Sequence, residues 1–262
     1  MTRLLVIPAA GRGTRLGLDV PKVMAPVAGR PMIDRLLARY GTVINRFVVV
    51  ASPAGSKLLT GFLRGRTEAV EIAVQQEPTG MLDAILEAYD LVRQHQPDRV
   101  WITWCDQLAV HERTLSRLID AETAPMEPAL ILPTCPRTEP YIHFERDSSG
   151  LIHRVLQRRE GDDMPESGES DIGLFSLSRA AYLRHLRTYA DAPAEGESTR
   201  ERNFLPFIPW LAAFDRVVTF PCTTPVEAIG INTPDELARI EAYLRQAEAA
   251  ESEALQEPGG DG

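Results

Sequence analysis

The sequence is short of cysteine, of positive charge and of long apolar runs, and each shortage removes a class of function. Cys105, Cys135 and Cys222 are the only cysteines in 262 residues. They are widely separated and odd in number, which excludes a disulfide framework and paired metal-ligand spacing and suits a reducing compartment. Lys and Arg total 28 against 37 Asp and Glu, a formal net charge of −9. A general nucleic-acid binder needs clustered cations, so that class is excluded. No stretch approaches the ~20 apolar residues of a membrane span. The opening run Leu4 to Ala9 is shorter than a signal-peptide core, and a Gly/Arg loop follows it where a cleavage site would stand. A cytoplasmic location is expected. Five histidines, His95, His111, His143, His153 and His185, are scattered without a metal-spaced pair, and no Ser-His-Asp or Cys-His arrangement emerges.

What is present is the rhythm of an α/β protein with a real core: 44% of the residues are hydrophobic and 25% charged. Continuous apolar runs at Leu4–Ile7, Phe47–Val50, Val70–Val74, Val100–Thr103 and Ala129–Leu132 read as buried strands. Helical patterns near 31–40, 56–65, 80–93 and 111–122 fall between them. Continuous strands followed by helices predict one doubly wound, mostly parallel sheet covered on both faces. Ligands of such sheets bind beyond the carboxyl ends of the strands. Past residue 137 the pattern changes. Tyr141–Glu145 and Leu151–Leu156 predict a β-hairpin turning at Asp147–Gly150, a small insertion on the acceptor side of the sheet. Arg158 to Ser170 reads as a mobile polar loop, Ile172–Leu177 as a strand, and 178–188, 203–213 and 233–250 as helices. A second polar segment runs from Asp191 to Arg202. The expected organisation is one domain over 1–250, followed by a disordered acidic tail over 251–262.

The loop after the first strand carries the most information. Ala9-Ala10-Gly11-Arg12-Gly13-Thr14-Arg15 is followed by Pro21-Lys22. Small residues there let backbone N–H groups approach phosphate oxygens. Arg15 offers a planar fork for the outer phosphates and Lys22 a compact charge. No Gly-Lys-Ser/Thr follows, so this is not a Walker loop, and the third glycine of a dinucleotide fingerprint is misplaced.

This string, continued through Val23-Met24-Ala25-Pro26-Val27-Ala28-Gly29-Arg30-Pro31-Met32, resembles the signature of sugar-1-phosphate nucleotidyltransferases. It is particularly similar to the uridylyltransferase domain of the bacterial N-acetylglucosamine-1-phosphate enzyme. The resemblance implies that Ala9, Ala10, Gly11, Gly13 and Thr14 wrap the NTP phosphates, that Arg15 holds the departing pyrophosphate, and that Lys22 bridges the reacting phosphates.

Further segments fall where such an enzyme needs them. In Gln75-Gln76-Glu77-Pro78-Thr79-Gly80, a primary amide at Gln75 can pair with the base edge of uracil or thymine, with Gly80 beside it. Asp106, at the end of the fourth strand, is placed to hold Mg²⁺ as a hard oxygen ligand; its competing role is a cap for the helix near 111–122. Thr233 and Pro234 read as the cap and first residue of the last helix. The resemblance gives Asn232 a second oxygen on the metal. On the acceptor side this chain departs from the family: Met81 stands where a threonine is common, and Gln157 and Asp171 stand where the amino-sugar enzymes have glutamate and asparagine. An ionised Asp171 can only accept hydrogen bonds, so it suits hydroxyls or a cationic group; its competing role is to cap a turn. The reaction implied is Mg²⁺-dependent transfer of a nucleoside monophosphate from UTP or dTTP to a sugar-1-phosphate. Cytidylyl transfer to a non-sugar phosphate such as phosphocholine, or an inactive binding module of this fold, are the alternatives. The partners expected are these small molecules, with no nucleic acid and no membrane; the residues leave the oligomeric state open.

Overall fold

The computed structural model describes residues 1–11, 16–17, 20–192 and 195–256. Gly13, Thr14 and Arg15, expected around the triphosphate, lie outside the described residues.

The strands, in chain order, are β1 (Arg3–Ala9), β2 (Pro26–Val27), β3 (Arg30–Pro31), β4 (Arg46–Ala51), β5 (Val70–Val74), β6 (Arg99–Thr103), β7 (Leu130–Thr138), β8 (Ile142–Arg146), β9 (Ile152–Gln157), β10 (Ser167–Asp171), β11 (Leu174–Ser178) and β12 (Val217–Pro221). The helices are α1 (Met32–Tyr40), α2 (Pro53–Leu63), α3 (Met81–Leu86), α4 (Tyr89–His95), α5 (Glu112–Glu122), α6 (Arg187–Ala190), α7 (Phe207–Ala212) and α8 (Pro234–Gln256).

One sheet runs β10-β7-β11-β6-β1-β4-β5, with β12 also paired to β7. Pairings β1 with β4, β1 with β6, β4 with β5 and β12 with β7 are parallel; the antiparallel ones all involve β7 or β11. The doubly wound, mostly parallel expectation therefore holds, with the antiparallel part confined to one side.

Strand pleating sends successive residues of β1 to opposite faces. Leu5 and Ile7 join a core built with α1, α2, α5 and α8, while Leu4 and Val6 join a second core with α3, α4 and α7. Both faces are thus covered, which is why the strands read as unbroken apolar runs. Helix starts follow local chemistry. Ser52 Oγ accepts from Gly55 N at 3.2 Å, with Pro53 as the first helical residue of α2.

Several expectations are corrected. Ser167–Ser170, expected at the end of a mobile loop, belongs with Asp171 to strand β10, paired antiparallel with Thr134–Thr138. Its composition carries no strand signal, and the pairing arises because β7 runs long enough to offer an edge. β12 is a short strand that the sequence reading leaves unassigned. The helix expected over 80–93 is divided where Ala88 N reaches Ile85 O instead of closing a full α turn. The last helix continues past 250 to Gln256. The predicted hairpin is β8–β9, with Asp147 Oδ1 accepting from Ser149 N and Leu151 N in its turn. Among the described residues no helix is long and apolar enough to cross a membrane.

Candidate active site

Chain ends of β1, β5 and β6 and the start of α8 meet at one edge of the sheet. β1 delivers Ala9, buried, and Ala10 to the loop that begins at Gly11. Among the described residues, a Cβ added at Gly11 would meet nothing within 4 Å. The chain returns at a short 3₁₀ turn, Lys22–Met24, fixed by Met24 N on Pro21 O at 2.8 Å.

Lys22 projects from that turn between two oxygens. Its Nζ forms an ion pair with Asp106 Oδ2 and donates to Asn232 Oδ1 at 2.9 Å. Both charged side chains are largely buried, at 14% and 12% exposure. Three of the four residues expected at the centre of the site therefore converge; the fourth is Arg15.

Each member is held by its own element. Asp106 follows β6 and does not cap α5: His111 Nδ1 fills that role, accepting from Arg113 N at 3.1 Å. Asn232 is aimed by two contacts. Its Nδ2 donates to Gly230 O at 3.2 Å, and its backbone N–H donates to Glu236 Oε2 at 2.8 Å. Thr233 and Glu236 make the reciprocal cap of α8, with Glu236 N on Thr233 Oγ1 and Thr233 N on Glu236 Oε2. Gly230 lies against the Asp106 carboxylate; a Cβ there would sit 3.3 Å from Oδ2. Ile231 N donates to Asp106 O at 3.3 Å, tying the two segments together.

Sequence reasoning missed Glu227, which is fully buried and anchors the approach to Gly230. Its carboxylate accepts from His111 N at 3.0 Å and from Thr224 N at 2.7 Å. The Thr-x-x-Glu spacing at Thr224 and Glu227 was the available signal. Cys105 beside Asp106 is no nucleophile, because burial, and then the neighbouring carboxylate, push its thiol up to about 12.

A second group forms at the end of β5. Gln75 is buried, and its Nε2 donates to Gly80 O at 3.2 Å. Met81 is the first residue of α3. Gly80 has φ 137°, and a Cβ there would run into the backbone N and O of Arg202.

Asp171 is buried beside the strand end that carries Asp106. Gly173 N donates to its Oδ1 at 2.7 Å, Gly173 O accepts from Trp104 N at 3.0 Å, and Gly173 packs against the Trp104 ring. Burial pushes the Asp171 carboxyl up to about 6, against the lowering effects of the Gly173 amide, Arg137 and the Trp104 indole. Gln157 ends β9, its N–H donating to Asp162 Oδ2 at 2.7 Å. Among the described residues no hydrogen bond or ion pair joins its side chain to the Lys22 group.

The arrangement is a cation between two oxygen donors, with a buried amide, Gln75, after β5 and a buried carboxyl, Asp171, at the end of β10. No group of three or more His, Cys, Asp or Glu with metal-binding geometry exists among the described residues. Asp106 with the Asn232 carbonyl is thus a two-donor oxygen set, which a hard cation completes with phosphate oxygens and water.

Comparison with known proteins gives the family. The MobA-like NTP transferase domain matches residues 5–170. The bifunctional protein GlmU of Thermus thermophilus is 29% identical over 250 residues, covering 94% of this chain and 52% of that protein. GlmU of Desulfitobacterium hafniense is 31% identical over 246 residues, covering 92% and 52%. The chain spans about half the length of the curated relatives it matches.

Proposed function

The chain belongs to the family of MobA-like NTP transferase domains, and from that premise we propose that it moves a nucleoside monophosphate from UTP or dTTP to a sugar-1-phosphate, releasing pyrophosphate. The observation that carries the reading is the convergence of Lys22, Asp106 and Asn232.

The acceptor phosphate is already an anion, so its oxygen attacks the α-phosphorus in line without a general base, and the α–β bridging oxygen leaves with pyrophosphate. The work of the protein is positioning and charge neutralisation. Lys22 faces the attacking and transferred phosphates, and Arg15 with the amides of Gly11, Gly13 and Thr14 takes the leaving pyrophosphate. Gln75 reads the base edge beside Gly80. Met81, Gln157 and Asp171 border the acceptor. The oxygens of Asp106 and Asn232 suit Mg²⁺, and these two residues would hold it. When bound, the ion supplies neutralisation of phosphate charge.

A second reading is favoured by one observation: the buried Asp171 carboxyl is turned onto Gly173 N, and Gly173 packs against the Trp104 ring. A carboxylate beside an aromatic ring suits a quaternary ammonium group as well as a hydroxyl. The acceptor would then be phosphocholine and the nucleotide CTP.

Pyrophosphate release with Mg²⁺ across ATP, CTP, GTP, UTP and dTTP, each against N-acetylglucosamine-1-phosphate, glucose-1-phosphate and phosphocholine, tests both. Release with UTP and a sugar-1-phosphate is the expected result. Turnover confined to CTP and phosphocholine selects the second reading, and no release with any pair overturns nucleotidyl transfer.

A further inference from the structure

The two polar segments that frame the acceptor side are fastened to each other by one carboxylate. Glu160 ends a 3₁₀ turn that follows Gln157. It accepts from Ser198 N at 3.0 Å, Thr199 N at 3.2 Å and Asn203 Nδ2 at 2.9 Å, and also from Thr199 Oγ1. Gly196 lies directly against it, where any Cβ would run into the carboxylate. Burial alone would raise this carboxyl, but the Thr199 and Asn203 side chains and the two amides outweigh it and bring the pKa down to about 2. It is ionised throughout the physiological range.

The clamped segment is a closed strap. Glu195 and Arg202 form an antiparallel bridge, and Gly196 N donates to Glu201 O at 2.8 Å. Its far end is fastened to the base-side loop. Arg202 N donates to Thr79 O at 2.9 Å and Leu82 N donates to Arg202 O at 2.9 Å, enclosing Gly80, while the Arg202 guanidinium pairs with Asp83. Immediately after the strap, the buried Phe204 packs edge-on against Trp104, with ring centres 6.0 Å apart, on the segment that carries Asp106.

One loop therefore touches the acceptor hairpin at Glu160, the base-side loop at Gly80 and the metal-side strand end at Trp104. We infer that Glu160 is a positioning residue that makes these three parts one unit, so that ordering of the acceptor side is transmitted to the loop that carries Gln75. Glu160 touches no reacting atom. It fixes the strap, and the strap fixes the backbone on both sides of Gly80. The inference rests on the reading above for what binds on either side, but the mechanical link stands on the hydrogen bonds alone.

Hydrogen exchange on the full chain tests the link without any substrate. In Glu160→Gln, a near-isosteric change that turns an N–H₂ toward two of the four donors, exchange is expected to rise over 196–203 and also over 79–82. The kinetic companion uses UTP with N-acetylglucosamine-1-phosphate, or CTP with phosphocholine if that is the pair wild type turns over. KM for nucleotide and acceptor should both rise at least about fivefold, the lower end of ordinary coupling between sites, with kcat within about threefold. Glu160→Asp, which keeps the charge, should recover part of both effects. Faster exchange limited to 196–203, or a lower melting temperature with both KM values unchanged, would make Glu160 a local clamp only and overturn the inference. A wild-type chain without transferase activity would instead fail the functional reading, and the exchange result at 79–82 would still decide the link.

Discussion

Replacing Asp106 by Asn is the sharpest perturbation of the proposed centre, because it keeps shape and removes only charge. In the wild-type chain the Lys22 ammonium, 14% exposed, has one carboxylate and one carboxamide oxygen for company. With Asn at 106 it keeps two neutral acceptors and loses its counter-ion. Breaking a fully buried pair costs about 3–5 kcal/mol. Residual solvent contact and the retained amide oxygen put this case lower, at about 1–3 kcal/mol, so the variant should fold with a reduced melting temperature. Activity should fall much further. A charged ligand for a phosphate-bound cation supplies several kcal/mol of transition-state stabilisation. Losing about 3–4 kcal/mol, at about 1.4 kcal/mol per tenfold, lowers kcat/KM by ~10²–10³. Pyrophosphate release at saturating Mg²⁺ measures this, with circular dichroism to show that the fold is intact. The double variant Asp106→Asn with Lys22→Met should be more stable than Asp106→Asn alone, since it removes the uncompensated charge. A kcat/KM within tenfold of wild type, or strictly additive stabilities in the double variant, would refute the assigned centre.

Asp171→Asn should change the pH dependence of stability. The folded pKa of about 6 stands above the ordinary 3.8, so the protonated carboxyl is the form the fold favours; its contribution is complete below the unfolded pKa and is lost as pH rises toward 6. Asn should therefore stabilise the chain at pH 7 by up to roughly 3 kcal/mol, with the advantage shrinking toward pH 4. Urea unfolding across that range checks the sign, and a difference that is flat with pH would contradict it. Glu122→Gln should do the opposite of the active-centre variants. This carboxylate is completely buried, accepts from Arg3 Nε at 2.7 Å and Ser176 Oγ at 2.7 Å, and lies 3.7 Å from Arg99. It serves the far end of β1 and β6, so about 3–5 kcal/mol of stability should be lost while kcat/KM of the folded protein stays within about twofold.

The parts of this fold that were legible in the sequence are those whose determinants are local. β1, β4 and β6 carry short apolar runs because they are covered on both faces, and a run of four such residues is visible without a partner. Asp106 was legible from its place after a strand end, and Asn232, just before a helix cap, through the resemblance. The Thr233 cap with Pro234 after it survives in the geometry as a reciprocal pair with Glu236. Lys22 was legible only through the resemblance, since a lysine after a proline has no chemistry of its own until Asp106 and Asn232 are brought against it from 84 and 210 residues away.

What was not legible depends on partners that no local pattern announces. Ser167-Gly168-Glu169-Ser170-Asp171 lacks every strand-forming residue type, and it becomes β10 because β7 offers an unpaired edge. The polar stretches around Glu160 and Thr199 read as loops since nothing in either segment predicts the other. Their order comes from one carboxylate meeting donors 38, 39 and 43 residues away. That is the physical reason the acceptor side resists reading from sequence. The proposed nucleotide side is built from backbone turns and strand ends, which composition encodes, whereas the proposed acceptor side is built from side-chain hydrogen bonds across long loops, which it does not. A change of acceptor therefore asks only for new loop partners and leaves the Lys22–Asp106–Asn232 group in place. The departures at Met81, Gln157 and Asp171 fall where such freedom is expected.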